Sequence, residues 1–274
     1  MEYRIIASDL DGTLFNDKKE VSRENLEAIA KMAELGVYFV PCSGRTLREI
    51  PENVKGIESV RYLIHSDGAV IYDKATGKRI EKCMSKEKAR PALDVLFDYG
   101  DSMTVRYKGE SYVDANAHNA ENYTYHRVMP FYQKMIFEVC RPMWDYKRFC
   151  YGLDGIEMIC IHFHSGDDLE ECKSRLEKID GISVTRLEEQ SIEVYDTEAG
   201  KGNAVLRLAE YLGYQKEATI GVGDSGNDID MLTKAGLGLV TSNGLDIAKA
   251  AGDAVICSNE EHIAKYILEN YIVK

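Results

Sequence analysis

The sequence predicts an α/β fold, with a doubly wound parallel sheet as its core and an inserted α+β module. Three observations predict it. Short apolar strand patterns alternate with helical patterns at both ends of the 274-residue chain. The middle of the chain changes to hairpin-like alternation and aromatic-rich stretches without a clear period. Small polar and acidic residues stand where the apolar strands of the two ends stop. Residues 1–83 and 191–274 are therefore read as one domain split in sequence, and 84–190 as the insert.

Taken in order, Tyr3 to Ser8 is an apolar strand, and Ser22 N-caps the helix "RENLEAIAKMAELG". In that helix Leu26, Ile29, Ala30 and Ala33 form the expected buried stripe, with Gly36 just past the last turn. "VYFVPCSGR" is a second strand ending in small polar residues. A strand, a crossover helix and a second strand of this length make a βαβ unit, so the strands run parallel and Asp9 and Ser43 share one edge. In the insert, "MTVRYKGESYVD" turns around Lys108 and Gly109, and "IEMICIHFH" and "ISVTRL" flank the helix "DDLEECKSRLEKID". The far end alternates again: helix "KGNAVLRLAEYLG", strand "EATIGVG", helix "NDIDMLTKAG", strand "LGLVTS", then two more helices.

Composition limits the function. A hydrophobic share of 45% supports a sizeable core, and a net charge of −12 argues against broad nucleic-acid binding. The seven cysteines are odd in number and form no C-x-x-C pair, which fits a reducing cytoplasm better than a disulfide framework or a zinc site. The N-terminal stretch has no signal pattern, and no apolar run approaches the roughly 18 residues a membrane span needs. The expectation is a soluble, cytoplasmic protein.

Ligands of open α/β sheets bind beyond the carboxyl ends of the strands. Four polar clusters land there: Asp9 with Asp11, Ser43 with Gly44, Lys201, and the loop "GDSGNDID" with Asp224, Asn227 and Asp228. Carboxylates brought together by separate strands need a cation, and a hard, oxygen-ligated Mg2+ is the expected one, with Mn2+ able to substitute. Gly12 and Gly44 let backbone N–H groups approach an anion, Ser43 adds a hydroxyl, and Lys201 adds a charge at a helix start, where the dipole disfavours a cation unless an anion is near. Together they describe a phosphoryl site. Other readings stay open: Ser43 as the cap of a following helix, Asp230 as a favourable charge at its helix start, His162 and His164 as one strand face, and Tyr123, Tyr125 and Tyr132 as cap surface or core of the insert.

"DLDGTL" at 9–14, "SGR" at 43–45, "KG" at 201–202 and "GDSGND" at 223–228 resemble, in order and spacing, the four motifs of the haloacid-dehalogenase-like phosphohydrolases. The long insert resembles the α/β cap of the Cof-type (IIB) branch. The resemblance implies a Rossmann-like core, a mobile cap at 84–190 and a Mg2+-dependent phosphatase acting on small phosphorylated metabolites such as sugar phosphates, nucleotides or pyridoxal phosphate. It makes Asp9 the nucleophile that forms an aspartyl-phosphate, and Asp11 the acid that protonates the leaving oxygen and later activates water. Mg2+ falls to the Asp9 carboxylate, the Asp11 carbonyl and Asp224. The phosphoryl oxygens fall to Ser43, Lys201, Asn227 and the backbone at Leu10 and Gly44, and Asp228 supports Lys201 or a metal-bound water. One position departs from the branch, since Asp67 stands where an Asn precedes Gly-Ala. Two rival functions share the residues: a phosphomutase with the same nucleophile, and a phosphate-ligand sensor resembling receiver modules.

Overall fold

The structure is a computed structural model that describes residues 2–100 and 102–273. The chain divides into two compact units, one of residues 1–44, 50–81 and 200–274, the other of residues 45–49 and 82–199.

The first unit is built on a five-stranded sheet in the order Ala254–Ile256, Leu237–Thr241, Thr219–Gly223, Ile5–Ser8, Tyr38–Pro41. Every neighbouring pair is parallel. Ile5–Ser8 sits inside the sheet and is buried throughout, as expected of a parallel strand covered on both faces. Its last residue, Ser8, is level with Pro41 on one side and Val222 on the other, so three strands stop together. A three-stranded antiparallel meander, Tyr62–His65, Val70–Asp73 and Arg79–Glu81, joins the edge through a parallel bridge between Cys42 and Ile64. The helix Lys201–Leu212 covers one face, where Ala204, Val205 and Leu208 pack with Ile5, Ala7, Val40 and Ile64.

The first helix, Arg23–Glu34, starts at Ser22, whose hydroxyl accepts from the Asn25 N–H, and Gly36 follows its end with φ +73°. Its buried face corrects the sequence expectation. Asn25, Ala28, Ile29 and Met32 are buried, whereas Leu26, Ala30 and Ala33 are exposed. Both stripes have helical spacing, and the polar Asn25 conceals the true one: its side-chain oxygen accepts from the buried Ala264 N–H, 2.9 Å away, in the C-terminal helix Ile263–Ile267.

The second unit has its own six-stranded sheet in the order Ile182–Glu188, Ser191–Asp196, Met158–His162, Met103–Tyr107, Glu110–Asp114, Arg141–Met143. Ser191–Asp196 pairs with Ile182–Glu188 and Met158–His162, so it belongs to this sheet rather than to the first unit. Lys108 and Gly109 make the tight hairpin turn, both at positive φ. One face packs on the helices Lys86–Leu96 and Gly166–Leu176 through Leu93, Leu96, Val105, Ile159, Ile161, Leu169 and Leu176. The aperiodic stretch folds into Ala120–Tyr125 and Pro130–Val139, where Tyr123 is core, Tyr132 packs against the same cluster, and Tyr125 is exposed and stacked on His164. His162 is buried, and burial aided by His126 and Arg106 pushes its imidazole down to about 4. The seven cysteines are all free.

Replacing Asn25 with Ala removes the acceptor of a buried N–H, and urea unfolding is expected to show a loss of about 1–3 kcal/mol. Ala30→Lys, which lies on the exposed side of the same helix, is expected to stay within about 0.5 kcal/mol of the parent.

Candidate active site

The expected site residues all lie in the first unit, and most of them gather at the level where the parallel strands stop. Asp9 follows directly on Ser8, and its N–H still bonds to the Val222 carbonyl at 2.9 Å. Asp224 follows Gly223 in the same way. Lys201 opens the helix Lys201–Leu212, and its Nζ donates to Asp9 Oδ1 and to Asp228 Oδ1, both at 2.7 Å. The lysine side chain is 0% exposed and that of Asp9 is 8% exposed.

Each carboxylate is held by a second set of contacts. Asp228 Oδ2 accepts from the backbone N–H groups of Asp224 and Ser225 at 3.0 and 3.1 Å, which leaves Oδ1 for the lysine. Asp224 Oδ1 accepts from the Thr13 hydroxyl at 3.1 Å, a contact across the sheet that the sequence reading did not anticipate. Between them runs the tight loop Leu10–Leu14, closed by Leu14 N–H to Asp9 O and Phe15 N–H to Leu10 O. It passes so close to Asp224 that a Cβ on Gly12, at φ +80°, would lie 2.5 Å from Asp224 Oδ2. Only glycine fits this position.

Charge is unbalanced here. Oxygen atoms of Asp9, Asp224 and Asp228 lie within 4.8 Å of one another, so three carboxylates share one buried ammonium. Burial pushes the Asp9 carboxyl well above the usual range, with Asp228 and Asp224 acting the same way and Lys201 opposing. Burial and the neighbouring Asp228 push Asp224 up to about 6. Burial disfavours the charge on Lys201, yet Asp228, Asp9 and Asp67 hold its ammonium well above the usual lysine range. The donor set around this centre is oxygen only, which suits a hard divalent cation.

The remaining expected residues fall around this centre. Asp11 turns its carboxylate to Lys19 at 3.0 Å and is 37% exposed, so its side chain lies outside the three-carboxylate group. Ser43 is buried after the second strand and caps no helix, since residues 44–51 form turns and bends before Glu52–Lys55. Gly44 borders Asp67. Asn227 is half-buried, and its side-chain oxygen accepts from Ser225 Oγ at 2.8 Å. Asp230 stands in the first turn of its own helix, Ile229–Lys234, and its Oδ2 also accepts from the Gly202 N–H at the start of the neighbouring helix at 2.8 Å. Among the described residues, neither His162 nor His164 belongs to a metal-binding group.

The site is an acidic, oxygen-lined centre around one buried lysine at the carboxyl edge of a doubly wound sheet. The chain belongs to the haloacid dehalogenase-like hydrolases, whose family profile matches residues 6–267. It is 28% identical over 270 residues to the 5-amino-6-(5-phospho-D-ribitylamino)uracil phosphatase YcsE of Bacillus subtilis, covering 97% of this chain and 95% of that one. Its fold matches that of a haloacid dehalogenase-like hydrolase from Bacteroides thetaiotaomicron with a TM-score of 0.77 and 24% identity, over 98% of this chain and 100% of the other. A subclass IIB sugar phosphatase superposes with a TM-score of 0.80 at 18% identity, over 98% and 100% of the two chains.

The raised Asp224 carboxyl fixes the sign of a pH effect. Its folded-state value lies above the ordinary 3.8, so its protonated form favours folding, and that contribution is lost as pH rises through about 6. In chelator, thermal stability is therefore expected to fall between these values and to fall less in Asp224→Asn. Added divalent cation is expected to raise the melting temperature more at neutral than at mildly acidic pH, and to do so weakly in the variant.

Proposed function

We propose that this hydrolase is a Mg2+-dependent phosphatase that cleaves small phosphorylated metabolites through an aspartyl-phosphate on Asp9. The observation that carries this reading is the buried Lys201 bridging Asp9 and Asp228 beside Asp224, at the carboxyl edge of the sheet.

In this reading an Asp9 carboxylate oxygen attacks phosphorus while the bond from phosphorus to the leaving oxygen breaks. Lys201 holds the Asp9 carboxylate in place and, with Ser43, Asn227 and the backbone at Leu10 and Gly44, receives the phosphoryl oxygens. Asp11 gives its proton to the leaving oxygen. It then takes a proton from a water whose oxygen attacks phosphorus, and the Asp9 carboxylate is regenerated. The carboxylates of Asp9 and Asp224 and the Asp11 carbonyl would hold Mg2+, which supplies the charge that lets an anionic nucleophile meet a phosphate dianion. Asp228 keeps Lys201 charged and aimed. The inserted residues 84–190 are assigned the part of a cap that excludes water during phosphoryl transfer and selects the substrate. A reducing cytoplasm suits the seven free cysteines.

YcsE is named for a phosphorylated ribitylamino pyrimidine and the subclass IIB neighbour for sugar phosphates, so polyol and sugar monophosphates come first among substrates. With Mg2+, the parent is expected to release phosphate from a panel of such esters, while chelator or Asp9→Asn reduces release to background. Isomer formed from a sugar 1-phosphate without free phosphate would instead establish a mutase. Asp11→Asn is expected to slow hydrolysis of alkyl esters by about 10²–10⁴-fold. p-Nitrophenyl phosphate, whose leaving group needs no proton, should suffer much less, and an equal loss on both would remove Asp11 from the acid role.

A further inference from the structure

Asp67 is held between two parts of the site. Its N–H donates to the Ser43 carbonyl at 3.2 Å, and its carbonyl accepts from the Gly200 N–H, directly before Lys201, at 2.9 Å. The backbone is left-handed at three successive residues, Ser66 at φ +50°, Asp67 at +48° and Gly68 at +84°. Two of these are not glycine, and such conformations persist where the surroundings demand them. Gly68 leaves no room for a side chain, since a Cβ there would lie 2.1 Å from the Gly200 carbonyl oxygen.

The turn buries Asp67, yet one of its carboxyl oxygens has no partner among the described residues. Asp67 is 4% exposed, and the oxygen is Oδ1. That oxygen lies 3.1 Å from where a Cβ on Gly44 would stand, so it fills the side-chain space beside the Ser43–Gly44 turn. Buried acceptors are normally satisfied, and an enclosed one without a partner beside the Ser43–Gly44 turn calls for a donor from outside the chain. Among the described residues none donates to this oxygen, and a second negative charge beside it would meet direct repulsion.

We propose that Asp67 is a specificity residue: it accepts a hydrogen bond from a hydroxyl or amine of the substrate next to the phosphoryl group, and it rejects esters with a carboxylate or second phosphate there. The proposal rests on the phosphatase reading, with Gly44 at the phosphoryl oxygens. The substrate class it defines is the monophosphate of a polyol, sugar or amino alcohol.

Glycerol 2-phosphate and 2-phosphoglycerate make a matched pair, because they differ in having a hydroxymethyl or a carboxylate group beside the ester carbon. Each is titrated, with Mg2+ present, as an inhibitor of p-nitrophenyl phosphate hydrolysis by the full chain and by Asp67→Asn. The parent is expected to favour glycerol 2-phosphate by roughly tenfold or more, and Asp67→Asn to reduce the ratio to about threefold or less. A general loss of activity or folding in the variant cancels from the ratio of the two inhibition constants. A parent that binds both compounds equally overturns the proposal without any variant, as does the same preference in both proteins. A parent inert towards p-nitrophenyl phosphate and the ester panel would remove the phosphatase reading itself, which is a different outcome from an active enzyme with the wrong preference.

Discussion

A lysine buried between two carboxylates is the constraint around which the first unit is arranged. Lys201 has no exposed side-chain surface, and neither has Asp228. Taking such charges out of water costs several kcal/mol per ion, and close, well-oriented partners must offset that cost. The fold supplies them from three distant segments. Asp9 comes from the end of an inner strand, Lys201 from a helix start, and Asp228 from a short turn whose own backbone N–H groups fix its other oxygen. The parallel register that ends Ile5–Ser8 level with its neighbours is what allows these segments to meet.

The same arrangement leaves the centre short of positive charge. One ammonium faces Asp9, Asp228 and Asp224, and Asp67 adds its field to that lysine. Stability therefore opposes the charge distribution at this edge, while the proposed cation and phosphoryl group would favour it. Local backbone features agree: the closed loop at Leu10–Leu14 with its glycine against Asp224, and the left-handed run at Ser66–Gly68, both place polar atoms more tightly than ordinary turns require.

The inserted unit is stabilised independently of this electrostatic centre. Its six-stranded sheet buries Val105, Ile159, Ile161, Ile192 and Val194 against helices of the same unit, Lys86–Leu96, Tyr146–Gly152 and Gly166–Leu176. Its tyrosines and histidines are spent largely on packing. Tyr123 lies in a small apolar cluster, and His162 is buried enough to remain neutral. Aromatic and histidine-rich composition in the insert thus reflects its core more than a second chemical site.

The sequence by itself determined the fold class and which polar residues stand at the sheet edge, because both are written in local patterns. Asp9, Ser43 and Asp224 each follow at once on an apolar strand and Lys201 opens a helical pattern, so each is visible within a few residues of the element it borders. Short strands such as Val70–Asp73 and Ala254–Ile256 were not legible, since three or four residues carry too little period to separate them from loops. Nor was the buried face of Arg23–Glu34, where Asn25 faces inward because a helix more than two hundred residues later needs its oxygen. Only the tertiary structure decided that Ser191–Asp196 joins the inserted sheet, that Thr13 holds Asp224, and that Asp228 shares Lys201 with Asp9. These are questions of which polar atoms are shared among segments far apart in sequence, and burial settles them by requiring each such atom to find its partner in space.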